Sequence, residues 1–302
     1  PEPDRALNQA KGAEVNAMAV TIREAKEADA TTCGRIAYEA FKAIADEHNF
    51  PPDIPNREDG VATASMMIAH PGFHGVVAEF DGKIAGSNFL DERSPISGVG
   101  PITVDPKIQN QGVGRRLMLA VMERSESRGF AGIRLVQAGY HCRSLTLYTK
   151  LGFDPREHLA CMQGAPINET YAGYAVRAAS ERDIDACNRL CVRVHGHHRG
   201  GELRDAVKAG NATVVERAGR ITGYATQIAY FAHAVGETND DLQALIAAAK
   251  SFEGPGFIVP SRNAALFRWC LGKGLRMTQP LTLMTMGLYN EPGGAYLPSI
   301  LY

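Results

Sequence analysis

A stretch near the start of the chain is written again past its middle. TIREAKEADATTCGRI, from Thr21, is echoed by VRAASERDIDACNRL from Val176, so that Arg23, Asp29 and Cys33 match Arg177, Asp183 and Cys187. Gly82-Lys-Ile-Ala-Gly86 is echoed by Gly219-Arg-Ile-Thr-Gly223, and HCRSLTLYTKLGF by RNAALFRWCLGKGL, with Gly152 matching Gly274. Each echo alone falls on residue types that also serve caps and turns. Together they keep one order while the spacing between partners shrinks steadily, as a duplication with deletions would leave it. The 302 residues also divide into two domains of roughly 150 residues. Two copies of one fold are therefore expected, and a solenoid of short repeats is not.

Charge and cysteine content narrow the class. Thirty-three Asp and Glu against 32 Lys and Arg leave a formal charge of −1, so no global basic field exists to hold nucleic acid or anionic lipid. Neither is expected as a partner. Six cysteines, at 33, 142, 161, 187, 191 and 270, include no Cys-x-x-Cys pair and are too sparse for a disulfide scaffold, which suits a reducing, cytoplasmic compartment. No run of about twenty apolar residues marks a membrane helix, and PEPDRALNQAKGAEVNA lacks the apolar centre of a signal peptide. Residues 1–19 are expected to be a leader or flexible segment. The turn-rich stretch QGAPINETYAG, residues 163–173, reads as a linker between a unit at 20–162 and a second at 174–302.

Within the first unit, VTIREA reads as a strand. Asp29 then caps a helix whose apolar positions Cys33, Ile36, Ala37, Ala40, Phe41 and Ile44 follow helical spacing. A proline-bearing loop and a helix near 58–69 follow. Asp81-Gly82 separates two strand-like runs as a hairpin, GVGPITV is a further strand, and a helix from Val113 to Arg128 ends at Gly129. Strand AGIRLVQA, helix SLTLYTK and Gly152 as its cap complete an α/β order.

The most informative run is ITVDPKIQNQGVGRRLMLAV, where a strand ends at Val104 and a helix opens inside Gln109-Asn-Gln-Gly-Val-Gly114. Glycine at 112 and 114 lets the backbone approach a ligand, and the first-turn amides, unpaired within the helix, point outward with the positive end of its dipole. That arrangement seats a phosphate or pyrophosphate, although an isolated Gly-x-Gly also serves as a tight strand-to-helix turn. Arg115 and Arg116 add positive charge. A P-loop does not fit, because no Gly-Lys-Ser/Thr follows, and Leu117 occupies the third glycine position of a dinucleotide fingerprint.

Here the chain resembles the GNAT superfamily of acyl-CoA-dependent N-acyltransferases, in which a strand ends in Val-x-Pro and Gln/Arg-x-x-Gly-x-Gly/Ala opens a helix. Val104-Asp-Pro106 and Gln109-Asn-Gln-Gly112-Val-Gly114 fit this pattern, and Leu147-Tyr148-Thr149-Lys150-Leu151-Gly152-Phe153 fits the family's second landmark. The resemblance covers residues 20–162. It implies two tandem GNAT-like domains, each a central mixed, mostly antiparallel sheet flanked by helices, and acetyl-CoA lying between two splayed strands. The implied cofactor-binding residues are Ile102, Thr103, Val104, Gln109, Asn110, Gln111, Gly112, Val113, Gly114, Arg115, His141 and Ser144. Tyr148 carries over as the general acid, and the acceptor, a small-molecule or peptide amine, would attack the thioester directly.

Two departures bear on mechanism. His141 stands seven residues before the tyrosine, where the family commonly has Asn, and SGVGPITV offers no glutamate base. Asp91, Glu92, His48 and His141 remain candidates for the base, each more readily a solvated residue. In the second unit Glu237, Asp240 and Asp241 stand where a pyrophosphate would need bare amides, and Cys270 replaces the tyrosine. That unit is expected to keep the fold without the cofactor seat, and to complete a substrate cleft, hold the first unit or form a homodimer. His195, His197 and His198 are read as a solvated or substrate-facing loop, with no metal. LYNEPGGAYLPSILY is expected to pack on a domain or a neighbouring subunit. Two functions are carried forward: an N-acetyltransferase, and an acyl-CoA-sensing module whose second domain recognises a partner.

Overall fold

A computed structural model of the chain describes residues 20–302; the expected leader, residues 1–19, lies outside the described residues. Strand β1 (Thr21–Glu24) leads through a short 3-10 turn into α1 (Ala30–His48), and α2 (Arg57–Ala69) follows. Asn49, in the left-handed region at φ 58°, stops α1, and the Asn56 side chain caps α2 by accepting the Asp59 amide. Then come β2 (Phe73–Phe80), β3 (Lys83–Asp91), β4 (Ile96–Val99), β5 (Thr103–Val104), α3 (Val113–Ser127), β6 (Gly132–Ala138), α4 (Cys142–Lys150) and β7 (Asp154–Gln163). The second half runs β8 (Ala175–Ala178), α5 (Ile184–His195), α6 (Gly200–Ala209), β9 (Thr213–Arg217), β10 (Arg220–Ala225), β11 (Ala234–Gly236) and α7 (Asn239–Ala248). It ends with β12 (Phe257–Pro260), α8 (Ala264–Gly272), β13 (Arg276–Gly287) and β14 (Ala295–Leu297).

The echoed residues do the same work in both halves. Arg23 holds Asp29 at 2.7 Å and Arg177 holds Asp183 at 2.8 Å, each carboxylate also receiving the backbone amide three residues before it. Gly82 and Gly219 turn their hairpins at φ 70° and 74°, and Gly152 and Gly274 end their helices at φ 100° and 81°.

Nine strands form one sheet in the order β1-β2-β3-β4-β6-β13-β7-β12, with β5 beside β3, and β14-β11-β10-β9-β8 form a second. Every strand pair is antiparallel except β4 with β6, so both sheets are mixed or antiparallel layers with helices against them. Sheet membership crosses the expected linker. Strand β13, from the second half, lies between β6 and β7, and β7, from the first half, lies between β13 and β12. The cores are exchanged accordingly: Met284 of β13 packs with Leu117, Val121, Tyr148 and Phe153, while Ala160 and Met162 of β7 pack with Leu242, Phe257 and Leu266. Sequence periodicity marks each strand but carries no information about which neighbour it takes.

The C-terminal segment packs on the chain itself. Strand β14 pairs with β11, and Leu301 joins Met67 and Phe89 of the first half. The histidine run is not the solvated loop expected. His195 and His197 are buried against Tyr296 and Tyr302, and only His198 is exposed, because the end of the chain folds back over them. Among the described residues no helix is long and apolar enough to cross a membrane.

Removing β13 strips Leu281, Leu283 and Met284 from the sheet, each fully buried and worth roughly 1.5–3 kcal/mol when covered. A fragment ending at residue 165 is therefore expected to show no cooperative thermal transition by circular dichroism. A fragment that melts cooperatively near the midpoint of the full chain would show that the first half does not need the strand.

Candidate active site

Strands β4 and β6 pair only from Ile96 to Gly98 against Gly132 to Arg134, and then part. Beyond that point β5 turns to β3, pairing at Gly86 and Ser87, while β6 continues against β13 to Ala138. The facing edges of 100–104 and 136–138 enclose a cavity of about 390 Å³, within the usual range for a small-molecule site. All the expected cofactor-binding residues line it except Gln111, and Tyr148 lines it too.

One end of the cleft is the turn into α3. Asn110 and Gly112 take left-handed conformations at φ 68° and 78°, which aims the chain so that α3 opens toward the cleft. A Cβ placed on Gly112 would meet nothing within 4 Å, and one on Gly114 would touch only Val104 and Leu147 at ordinary contact distance. The space before the first-turn amides is thus free of protein. Arg115 lines this end, joined by Arg143 of α4, whose Nη2 donates to Gln109 Oε1 at 2.5 Å. Arg116 does not contribute as expected. Its guanidinium donates to the Val20 carbonyl and ties β1 to α3.

Along the cleft wall, Ser144 donates to Gln137, and His141 caps α4 with its Nε2 buried and unpartnered. Burial, with Arg143 and His48 nearby, lowers the His141 pKa to about 4, so its ring is neutral at pH 7. Tyr148 is 6% exposed, and burial pushes its phenol above the ordinary range, which keeps the proton on oxygen. Cys142 faces solvent and lies outside the cavity.

Three of the four candidate bases are engaged elsewhere. Asp91 is held by Arg93 at 2.7 Å, Glu92 by Arg124 at 2.7 Å, and His48 Nδ1 pairs with the Ile44 carbonyl at 3.0 Å. A carboxylate that the sequence did not single out, Asp53, lies in the cavity wall. It sits in the loop after α1, where Phe50 stacks on Tyr140 at 4.2 Å and Ile54 is buried. Tyr230, Phe231, Ile300 and Leu301 of the second half close the same end.

The matching opening in the second half is a more open cavity of about 380 Å³, lined by Glu237, Thr238, Asn239, Asn263 and Tyr296. Strand β14 pairs with β11 and packs beside β12, and the start of α7 carries a capping box in which the N-cap amide of Thr238 donates to Asp241 at 2.9 Å. Glu237 is paired with Arg220 and Arg193, Asn263 with Asn239, and Cys270 is buried where the first half has Tyr148.

Residues 38–153 match the family model for the acetyltransferase (GNAT) family. The match covers well under half of the chain, and the fold of that stretch is GNAT-like. A mycothiol acetyltransferase of Nocardia farcinica (strain IFM 10152) is 37% identical over 65 residues, 22% of this chain and 22% of that protein. The aligned part is thus less than a quarter of that relative's length. A putative acetyltransferase from Pyrococcus horikoshii has a TM-score of 0.70 at 16% identity over 92% of both chains. A tandem GNAT protein from the clavulanic acid biosynthesis pathway has a TM-score of 0.54 at 13% identity over 89% of this chain and 98% of that one. At these identities the likeness is one of fold, and it extends over both GNAT-like halves.

The buried histidines predict an acid limit to stability. His141 and His197 have pKa values lowered to about 4 and about 3, whereas an unfolded chain takes up the proton near 6.5. The unfolded state therefore binds more protons as pH falls from 6.5, and the contribution of both rings is lost down to their folded pKa values. Ring-proton NMR should show neither histidine titrating above pH 5, and a midpoint near 6.5 for His141 would remove its desolvated role.

Proposed function

We propose that the chain is an acyltransferase that moves an acetyl group from acetyl-CoA to a primary amine, with the cleft between β5 and β6 as its active site. The observation that carries the reading is the open turn at 110–114, with Arg115 and Arg143 beside it. Amide hydrogens at the positive end of a helix suit the diphosphate of coenzyme A. The GNAT family match at 38–153 and the name of the mycothiol acetyltransferase relative support the same chemistry.

In this reading the pantetheine runs along Ile102, Thr103 and Val104, whose outer edge has no strand partner among the described residues. Gln109, His141 and Ser144 flank it, and the unpartnered His141 nitrogen is available to the cofactor. Acetyl-CoA supplies an acyl carbon activated as a thioester. The amine attacks it directly, since the exposed Cys142 lies outside the cleft and no acyl-enzyme is needed. Backbone donors of the 102–104 segment stabilise the developing oxyanion. Tyr148 protonates the leaving sulfur. In water a phenol is a weaker acid than a thiol, so this transfer relies on the dry cleft, which raises the proton affinity of the thiolate as well.

Tyr148→Phe is expected to lower kcat by roughly 100-fold while changing the Kd for acetyl-CoA by about threefold or less. Unchanged turnover would remove Tyr148 from the acid role. Because a Cβ at 114 would meet only Val104 and Leu147, at ordinary contact distance, Gly114→Leu should leave Tm nearly unchanged and weaken coenzyme A by roughly tenfold or more in calorimetric titration. Tight acetyl-CoA binding with no thiol release against a broad amine panel would replace the transferase by the acyl-CoA sensor.

A further inference from the structure

Asp53 is a carboxylate without a cation. Tyr230 Oη donates to its Oδ2 at 2.9 Å and Gln279 Nε2 to its Oδ1 at 2.7 Å, and among the described residues no Lys, Arg or His pairs with it. Both donors come from the second half, Tyr230 from the β10–β11 loop and Gln279 from β13. The Tyr230 hydroxyl also receives Gln279 Nε2 at 3.1 Å, so the three groups form one closed triangle. A half-buried carboxylate that accepts two neutral hydrogen bonds but meets no positive charge is poorly compensated as an anion. The same carboxylate opens onto the cavity that holds Tyr148 and His141, beside the apolar side chains of Phe41, Ile44 and Phe231. Such a site accepts a cation with an apolar body.

We propose that the acceptor enters as a cationic primary amine whose ammonium binds Asp53 and yields its proton there, and that Tyr230 and Gln279 are positioning residues that hold the carboxylate for it. The fate of the amine rests on the acetyl-transfer reading; its binding does not. The ammonium gives one proton to Asp53, and the neutral amine forms the N–C bond as the C–S bond breaks. The thiolate takes the Tyr148 proton, and the second proton lost by nitrogen restores the phenol. Asp53 releases its proton to solvent, so ammonium and acetyl thioester become amide, thiol and one proton.

The groups facing Asp53 leave it free to titrate in this role. Tyr140 and Cys161 are pushed up to about 12 by burial, Tyr230 rises for the same reason, and Gln279 does not ionise. His141, in the same cavity, stays neutral above about pH 4. Glu47 also lines the cavity. Burial raises Asp53 itself, so its basic form grows in as pH rises past the ordinary carboxylate range.

The test uses the full chain with coenzyme A present, and phenethylamine and 3-phenylpropan-1-ol as charged and uncharged probes of similar shape, read by saturation-transfer NMR. Wild type is expected to prefer the ammonium by roughly tenfold or more, Asp53→Asn to lose the preference, and Tyr230→Phe to fall between. Circular dichroism and coenzyme A affinity confirm that each variant is folded. With an accepted amine, kcat/KM of the wild type should level off once Asp53 is ionised. That of Asp53→Asn should keep rising toward the amine pKa, near 10, because only free amine then reacts. Equal binding of the two probes, binding of neither, or an Asp53→Asn variant with wild-type preference and pH profile overturns the proposal. Ammonium preference without thiol release from any amine supports the binding site and sinks the transferase reading instead.

Discussion

Strand β6 holds β13 from Gly132 to Ala138 but releases β4 after Gly98. Everything that makes a site in this molecule follows from that unequal grip. A strand with one secure neighbour can afford to leave the other, because only one edge of its backbone then needs a ligand or water. On the far side β5 is secured in the same way by β3, with Gly86 set so close to the Thr103 carbonyl that a side chain there would collide with it. The cleft is thus a separation between two strands each anchored from behind.

The two halves share GNAT-like elements, and the chain uses the corresponding openings differently. In the second half β14 lines a cavity of about 380 Å³, and the N-cap amide of the corresponding helix, Thr238 N, is spent on Asp241, whose carboxylate also accepts from Thr222. In the first half the corresponding helix begins at Gly112 with no side-chain cap. A capped helix start is the more stable one by about 1 kcal/mol. Leaving α3 uncapped keeps its first-turn amides free of side-chain partners, while the capping box stabilises the start of α7.

The sequence made the α3 end of this cleft legible because that end is local. Val104, Gly112, Gly114, His141, Ser144 and Tyr148 lie within a few dozen residues of one another on a strand, a turn and two helix starts whose geometry short-range rules describe. The repeat was legible for the same reason, since the Arg23–Asp29 and Arg177–Asp183 pairs are each confined to one turn. What stayed hidden depends on distant pairing. Asp53 is one acid in a polar loop until Tyr230 and Gln279 reach it from 177 and 226 residues away. Arg116 looks like a phosphate ligand until the Val20 carbonyl captures it, and His195 and His197 look solvated until Tyr302 lies across them. No periodicity reports that β13 crosses into the other half's sheet.

That crossing ties the two ends of the cleft to different parts of the fold. The turn at 110–114 rests on β5 and α3, whose hydrophobic contacts are largely within the first half. The Asp53 end rests on Gln279 of β13, the strand that also delivers Met284 into the first core. A disturbance of β13 therefore reaches the sheet and the carboxylate together, whereas one in the α3 turn stays at that end of the cleft. Core strands are among the last elements to open in local unfolding. Placing a positioning residue on β13 gives Asp53 the rigidity of the sheet centre, although Asp53 itself stands in a loop. A loop carboxylate without that support would relax toward water and lose the burial that makes it want a cation.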